Sequence, residues 1–181
     1  MVLASLAAGA GPHPGGAASA APSCPEESGT GAAGPAIVAV LPNPVADGDA
    51  GEFVTVRVPP GAGGPGNLTL TDGEATVGIP NSLEGPVTIA AAPAAVPAPA
   101  GPGERTVTNR TGALALSNAG EVLRLRANST VVDCVAYEDA PEGAVLARAT
   151  GPTGTPAGDR EWTPVGATDF DVARAGPGRV R

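Results

Sequence analysis

Few residues of this 181-residue chain are suited to catalysis, and they lie far apart in the sequence. Its single histidine, His13, lies in a leader rich in Pro and Gly, and the chain contains no lysine. A serine or cysteine nucleophile needs a histidine that folded structure holds beside it. The composition therefore predicts a protein without catalytic machinery of its own, and no residue is assigned a catalytic or cofactor-binding role.

Three carboxylates, Asp47, Asp49 and Glu52, fall within six residues. Such a cluster could coordinate a hard cation, and calcium is the candidate, although the spacing is not that of an EF-hand loop. The alternative is a solvated turn in which Asp favours the bend and Glu52 begins a strand. Two cysteines and one histidine cannot supply the four ligands of a structural zinc site.

The two cysteines allow one intramolecular pairing, between Cys24 in the leader and Cys134 in a strand pattern. In an exported protein this disulfide would tie the leader across the domain. An inert, buried Cys134 with an unpaired Cys24 is the equally weighted alternative. Next to Cys134, Asp133 interrupts an apolar run, so its carboxylate must either face solvent or find a partner such as an arginine or backbone donors. A structural role is favoured over a functional one.

Three Asn-x-Thr glycosylation sequons begin at Asn67, Asn109 and Asn128. All three lie in or beside predicted turns, where a glycan is tolerated on an exported protein. Short sequons also arise by chance in Thr-rich chains. Glycosylation of at least one of them is therefore an expectation that depends on export.

The chain is acidic, with a formal net charge of −8 and a pI near 4.5, and all ten basic residues are arginines. This balance disfavours a nucleic-acid partner gathered by bulk charge, because phosphate contacts need clustered cations. Arg124 and Arg126 form the only tight basic pair outside the C-terminus. The composition is typical of a GC-rich genome and of adaptation to high salt, while an ordinary acidic extracellular protein is the alternative.

Short β-branched runs separated by turn residues predict an all-β antiparallel β-sandwich with flexible N- and C-terminal tails, for which the resemblance described below implies an immunoglobulin-like fold. A small barrel is the second choice. Residues 1–35 are expected to be a leader and linker, 36–140 the sandwich, and 141–181 a Pro/Gly-rich extension in which Trp162 packs back onto the domain rim. The predicted strands are Ile37 to Leu41, Phe53 to Val58, Leu68 to Leu70, Thr76 to Ile79, Val87 to Ala91, Ala113 to Leu116, Val122 to Arg126 and Thr130 to Tyr137.

Alternation along two of these strands predicts which side chains are buried. In Phe53 to Val58 the valines are expected to face inward and Thr55 outward, and in Val122 to Arg126 the leucines are expected to face one way and the arginines the other. Ala127-Asn128-Ser129 is expected to form a tight hairpin turn, and Pro93 to Gly103 a surface connection.

The leader begins with a short apolar run and continues to Ala18-Ser19-Ala20, an order that resembles an export signal. It lacks a basic start, so a low-complexity tail is the alternative. The sequence predicts an extracellular or cell-surface protein. No apolar stretch approaches the ~20 residues of a membrane span.

Two segments resemble the lamin-tail domain family. The first is Ile37-Val38-Ala39-Val40-Leu41-Pro42-Asn43-Pro44 followed by Gly51-Glu52-Phe53-Val54-Thr55-Val56. The second runs from Leu114-Ala115-Leu116-Ser117-Asn118 through Gly120-Glu121-Val122-Leu123 to Val131-Val132-Asp133-Cys134-Val135-Ala136-Tyr137. Together they span residues 37 to 137, the length of one immunoglobulin-like domain. The segment Asn67 to Gly73 departs from the family's Gly-Trp type strand.

The resemblance implies a non-catalytic binding or targeting module of a secreted or cell-surface protein, with a protein or a cell-envelope component as its partner. Some relatives of this kind are fused to nucleases or phospholipase D-like hydrolases. The alternative is therefore the N-terminal portion of such a hydrolase, with its catalytic domain beyond residue 181. A purely structural envelope protein is the third possibility, and self-association through an edge strand is compatible with each of them.

Overall fold

The computed structural model describes residues 23–24, 34–45, 48–61, 68–90, 92, 105–108, 114–148 and 162–166. These residues contain a short 3₁₀ helix at Gly48–Gly51 and otherwise form strands and the loops between them. The strands are β1 (Ala36–Leu41), β2 (Phe53–Val58), β3 (Leu68–Thr71), β4 (Thr76–Ile79), β5 (Gly85–Ala90), β6 (Arg105–Thr108), β7 (Gly120–Ala127), β8 (Thr130–Glu138), β9 (Ala144–Arg148) and β10 (Trp162–Gly166).

The strands form two sheets, which confirms the predicted all-β sandwich. The six-stranded sheet has the order β10-β9-β1-β2-β5-β6, and the four-stranded sheet has the order β4-β3-β7-β8. Neighbouring strands are antiparallel except for β5 and β6, which run parallel. Residues 91–104 connect those two strands, which is the length that a parallel crossover requires.

Alternating side chains explain why the sheets face each other. In β7, Leu123 and Leu125 are completely buried, while Arg124 is half-buried and Arg126 is exposed. A strand turns successive side chains to opposite faces, so the leucines enter the core and the arginines lie on the outer face. The core between the sheets is aliphatic, with Tyr137 as its aromatic member. Its completely buried large side chains include Ile37, Val40, Val54, Val56, Leu70, Val87, Leu123, Leu125 and Val135.

Part of the outer face of the six-stranded sheet is also buried, and Thr55, which was expected to face water, lies in that buried part. Leu41, Phe53 and Val145 form a second apolar cluster on that face. Beside them, the hydroxyls of Thr55 and Thr88 lie 2.9 Å apart and hydrogen bond to each other. The hydroxyl pair satisfies two polar groups that the strand alternation places on a buried surface.

The sequence suggested that the sandwich ends at residue 140, but in the structure it continues beyond that residue. Strand β9 pairs with β1 and β10 pairs with β9, so the predicted C-terminal extension supplies two strands of the larger sheet. Val145 and Leu146 of β9 are buried. The side chain of Trp162, predicted to pack on the rim, lies outside the described residues. So do most of the predicted flexible tails and the predicted surface connection from Pro93 to Gly103.

The segment at residues 114–117, predicted as part of a strand, joins neither sheet in the structure. Leu114 and Leu116 are nevertheless buried in the core. The amide of Leu116 donates to the carboxylate of Glu52 at 2.9 Å. The Glu52 side chain thus accepts the hydrogen bond that a carbonyl of a neighbouring strand would accept in a sheet. The alternation of Leu114 and Leu116 correctly indicated buried side chains, but these residues belong to a packed loop and not to a strand.

Candidate functional site

The buried carboxylate of Asp133 on β8 is bonded to two other strands of the sandwich. Its Oδ2 accepts from the amide of Ile37 and from Nη1 of Arg148, each at 2.7 Å. The same Nη1 also lies 3.1 Å from the carbonyl oxygen of Ile37, to which it donates. The Asp133 and Arg148 side chains are 7% and 8% exposed, so the ion pair is shielded from water.

This cluster joins the two sheets. Asp133 belongs to the four-stranded sheet, whereas Ile37 on β1 and Arg148 on β9 belong to the six-stranded sheet. Asp133 lies opposite the buried Leu125 in the β7–β8 register, which places its carboxylate on the inner face. Of the two alternatives for Asp133, exposure to solvent or a buried partner, the structure shows the second, with a backbone amide and an arginine as partners. The sequence did not identify Arg148, because that residue fell in the presumed extension.

Burial sets the electrostatics of this cluster. It raises the pKa of Asp133 above its usual value, and the rise is opposed by Arg148 and by the amides of Ile37 and Cys134. Arg57 on β2 donates from Nη2 to the carbonyl oxygen of Gly34 at 3.1 Å. Burial lowers the pKa of Arg57, and the negative charge of Asp133 opposes that change. The cluster therefore holds its charges by hydrogen bonds, as buried charges require.

Cys134, the next residue of β8, turns to the opposite face of the sheet and is joined to Cys24 by a disulfide. The Cα atoms of the two cysteines lie 5.8 Å apart, within the usual range. Of the two alternatives for the cysteines, the structure thus shows the paired one. Adjacent residues of one strand consequently fasten two different parts of the chain, the leader through Cys134 and the larger sheet through Asp133.

The proposed calcium cluster is only partly described. Glu52 is buried, 4% exposed, and its Oε2 accepts the amide of Leu116. This carboxylate therefore lies in the protein interior and not in a solvated turn. Asp47 and the side chain of Asp49 lie outside the described residues. Among the residues that are described, no three His, Cys, Asp or Glu side chains are grouped so that they could hold a metal ion.

Beside the loop at residues 114–117, the structure leaves a small cavity that Glu52 lines together with Phe53, Val54, Ile89, Ala90, Leu114 and Leu116. It has room for about one water molecule. Apart from the Glu52 carboxylate its walls are apolar side chains, so it is a packing defect at the end of β2 and not a substrate pocket.

A second carboxylate cluster lies at the start of β7. Glu121 Oε2 accepts the amide of Ser117 at 3.2 Å and the hydroxyl of Tyr137 at 3.4 Å. Burial raises the pKa of Glu121, and the nearby charges of Asp72 and Glu74 add to the rise, while the two hydrogen bonds oppose it. Burial and Glu121 together raise the pKa of the Tyr137 phenol. The Tyr137–Glu121 contact was not predicted, although Glu121 and Tyr137 were both in the lamin-tail-like segment.

Of the three sequons, the structure describes the one at Asn128. Asn128 and Ser129 form the two-residue turn between β7 and β8, and Asn128, Ser129 and Thr130 are all exposed. The φ angles of 48° and 69° at the two turn residues are those of a type I′ hairpin. The tight turn predicted at this place is thus confirmed, and the position is open to a glycan. Asn67 and Asn109 lie outside the described residues.

In the described part of the chain, the buried carboxylates of Asp133 and Glu52 accept from backbone amides. Arg57 and Arg148 donate to backbone carbonyl oxygens, and Arg148 also donates to Asp133, while Nε of Arg148 has no partner there. His13 lies outside the described residues, so the structure places no histidine beside them. Within the described residues, no helix is long and apolar enough to cross a membrane. Comparisons of the chain with models of known protein families, with curated proteins and with solved structures found no match.

Proposed function

We propose that this chain is a non-catalytic, lamin-tail-like binding module of a secreted or cell-surface protein. The observation that carries the proposal is that the buried ionisable side chains make structural contacts within the fold. Asp133, Arg148 and Glu52 each hold distant segments of the chain together through backbone groups or an ion pair. Charges employed in this way fix the shape of a scaffold, and the exposed loops and sheet faces are left to recognise a partner.

The disulfide supports the exported location. Cystine bridges persist in oxidising compartments and are rare where thiol reductants are abundant. The Cys24–Cys134 bridge joins the leader, where the sequence resembles an export signal, to a strand of the folded domain. The lamin-tail resemblance supports the kind of module, because its two segments correspond to β1 with β2 and to the stretch from the 114–117 loop through β8.

A fractionation experiment tests the proposal. The purified full chain is incubated with washed cell envelopes of the source organism, and the amounts in pellet and supernatant are compared, with bovine serum albumin as the control. Saturable retention of the chain, together with no release of phosphate, sugar or nucleotide from the envelopes, is the expected result. Turnover of any of these substrates by the purified chain, or retention no greater than that of albumin, would overturn it.

A further inference from the structure

The outer face of the four-stranded sheet carries two arginines that make few contacts within the described residues. Arg124 has no hydrogen-bond or ion-pair partner within the described residues, and Arg126 donates only from Nε, to the carbonyl oxygen of Ser129 at 3.2 Å. The other two described arginine side chains, Arg57 and Arg148, are both bonded in the interior. In a chain of net charge −8, two neighbouring guanidiniums on one face without an ion-pair partner among the described residues are a feature to be explained.

The strand register shows what surrounds these arginines. Thr71 on β3 lies opposite Arg124, and Thr69 lies opposite Arg126. On the far side of β3, Thr76 and Gly78 of β4 lie opposite Thr71 and Thr69. We call the surface made by Thr69, Thr76, Gly78, Arg124 and Arg126 the threonine–arginine face. Thr71 is left out because its hydroxyl is already bonded to the β3–β4 turn.

The threonine–arginine face is flat and is open on its β4 side, whereas Thr69 and Arg124 are half-buried and Cys134, opposite Arg124 on β8, is completely buried and bridged to Cys24. Thr76, Gly78 and Arg126 are exposed, and a methyl group added at Gly78 would meet no atom within 4 Å. Three strands spaced about 4.8 Å apart make the face roughly 10 Å wide, and the two arginines, two residues apart on one strand, are separated by about 6.7 Å. An extended polymer can lie across such a surface without entering a pocket.

We infer that the threonine–arginine face binds a carboxylate-bearing polysaccharide of the cell envelope, an inference that rests on the proposed function. A guanidinium binds a carboxylate through two parallel N–H donors, and a threonine hydroxyl both donates to and accepts from a sugar hydroxyl. Arg126 keeps its two Nη groups for such a contact, since only its Nε is bonded within the described residues. Two guanidiniums beside threonine hydroxyls therefore match a polymer that alternates carboxylates with hydroxyls.

Other polymers fit this face less well. Single-stranded nucleic acid is bound by aromatic stacking and a groove of cations, whereas this face consists of threonine, glycine and arginine. A stable protein interface has an apolar centre, which these residues do not provide. The carboxylates of the ligand will lie toward Arg126, because the turn after Thr71 carries Asp72 and Glu74 at the Arg124 end.

The test is affinity gel electrophoresis of the full chain in 0.15 M salt, with polygalacturonate in the gel and with neutral dextran as the comparison polymer. We expect polygalacturonate to retard the unmodified chain and dextran to leave its mobility unchanged. Arg126→Gln should weaken retardation about fivefold, and the double variant Arg124→Gln/Arg126→Gln more than tenfold, because each loses charge-assisted hydrogen bonds.

The matched control is Val45→Glu, at a loop residue that is 75% exposed. It changes the formal charge from −8 to −9, as Arg126→Gln does, and should bind polygalacturonate like the unmodified chain. Unchanged binding by the double variant, an equal loss in Val45→Glu, or no binding by the unmodified chain overturns the inference. Equal retardation by polyphosphate through the same arginines also overturns it, because the face would then be a general anion site.

The envelope experiment separates this inference from the proposed function. If Arg124→Gln/Arg126→Gln is retained by cell envelopes as well as the unmodified chain is, the threonine–arginine face is not the binding surface, while the proposed function stands. If neither protein is retained, the proposed function itself fails.

Discussion

Asp133 and Arg148 form a buried ion pair of 2.7 Å that crosses from one sheet of the sandwich to the other. The pair is supplemented by the amide and carbonyl of Ile37, so that three strands, β1, β8 and β9, meet at one carboxylate. Removing one partner of a buried pair is more damaging than replacing both, because the remaining charge is left without compensation in a site of low polarity.

This relationship predicts the outcome of a double-mutant cycle. Asp133→Asn, which keeps an oxygen for the Ile37 amide but removes the charge, should lower the free energy of unfolding by about 3–5 kcal/mol. The double variant Asp133→Leu/Arg148→Met should cost less than the sum of the costs of Asp133→Leu and of Arg148→Met, each measured alone. Urea unfolding followed by circular dichroism gives these values. An exposed control, Glu142→Gln, should stay within about 0.5 kcal/mol of the unmodified chain. Additive single and double effects would contradict the coupling.

The disulfide is expected to be a major source of stability. It joins residues 110 apart in sequence, and the chain-entropy model gives about 4–5 kcal/mol for closing a loop of that length. Cys24→Ala removes the bridge without changing the completely buried Cys134, and should lower the free energy of unfolding by about 2–5 kcal/mol. Reductant should destabilise the unmodified chain and leave Cys24→Ala unaffected. Equal stability of the two proteins under oxidising conditions would argue against a bridge.

The β7–β8 turn offers a stabilising substitution. Ser129 has a φ of 69°, a conformation that costs energy in residues with a side chain and suits glycine. Ser129→Gly creates the Asn-Gly pair preferred in type I′ turns and should raise the free energy of unfolding by up to about 1 kcal/mol. Thr130→Gly, at the adjacent strand position, should instead lower it, because glycine weakens a strand. The thermal midpoints of the two variants would fall on opposite sides of the unmodified value. A lower midpoint for Ser129→Gly would show that the turn is not type I′.

The raised pKa of Glu121 predicts that the free energy of unfolding decreases as the pH rises. Because burial raises its pKa in the folded chain, the folded state binds more protons than the unfolded state between the ordinary and the raised pKa. Its contribution to stability is therefore fully present below the ordinary pKa of about 4.3 and is lost as the pH rises through the raised value. Glu121→Gln, which keeps an acceptor for the Ser117 amide, should lose stability less steeply over that interval. Urea unfolding between pH 3.5 and 7 measures the two slopes, in steps of about half a pH unit so that each slope is defined. A steeper loss of stability in Glu121→Gln would show that folding does not raise the pKa of Glu121.

Salt dependence tests the interpretation of the acidic composition. Self-repulsion of a chain with net charge −8 is screened in molar salt, where the Debye length is about 3 Å. We predict a β-rich circular dichroism spectrum in molar sodium chloride and loss of order when the salt is removed. A spectrum unchanged by desalting would remove the salt-adapted interpretation and leave the sandwich unaffected.

The local pattern of the sequence was sufficient to predict several strands. The bounds of β2 and β4 match the prediction to the residue, and the alternation in β7 assigned its leucines to the core and its arginines to the outer face. The turn at Asn128 was likewise predicted. These features depend on side-chain periodicity and turn preference, which a few neighbouring residues determine.

Tertiary structure alone decided the remaining features. Ala144–Arg148 and Trp162–Gly166 are only five residues each, and the second contains Pro164 and Gly166, so their strand character arises from pairing with β1 and with each other. The Leu114–Leu116 alternation had the pattern of a strand but no neighbouring strand to bond. The choice of Arg148 as the partner of Asp133, and of Cys24 as the partner of Cys134, required residues 15 and 110 positions apart to meet. A sequence pattern fixes which way a side chain faces, whereas only the folded chain fixes what it meets there.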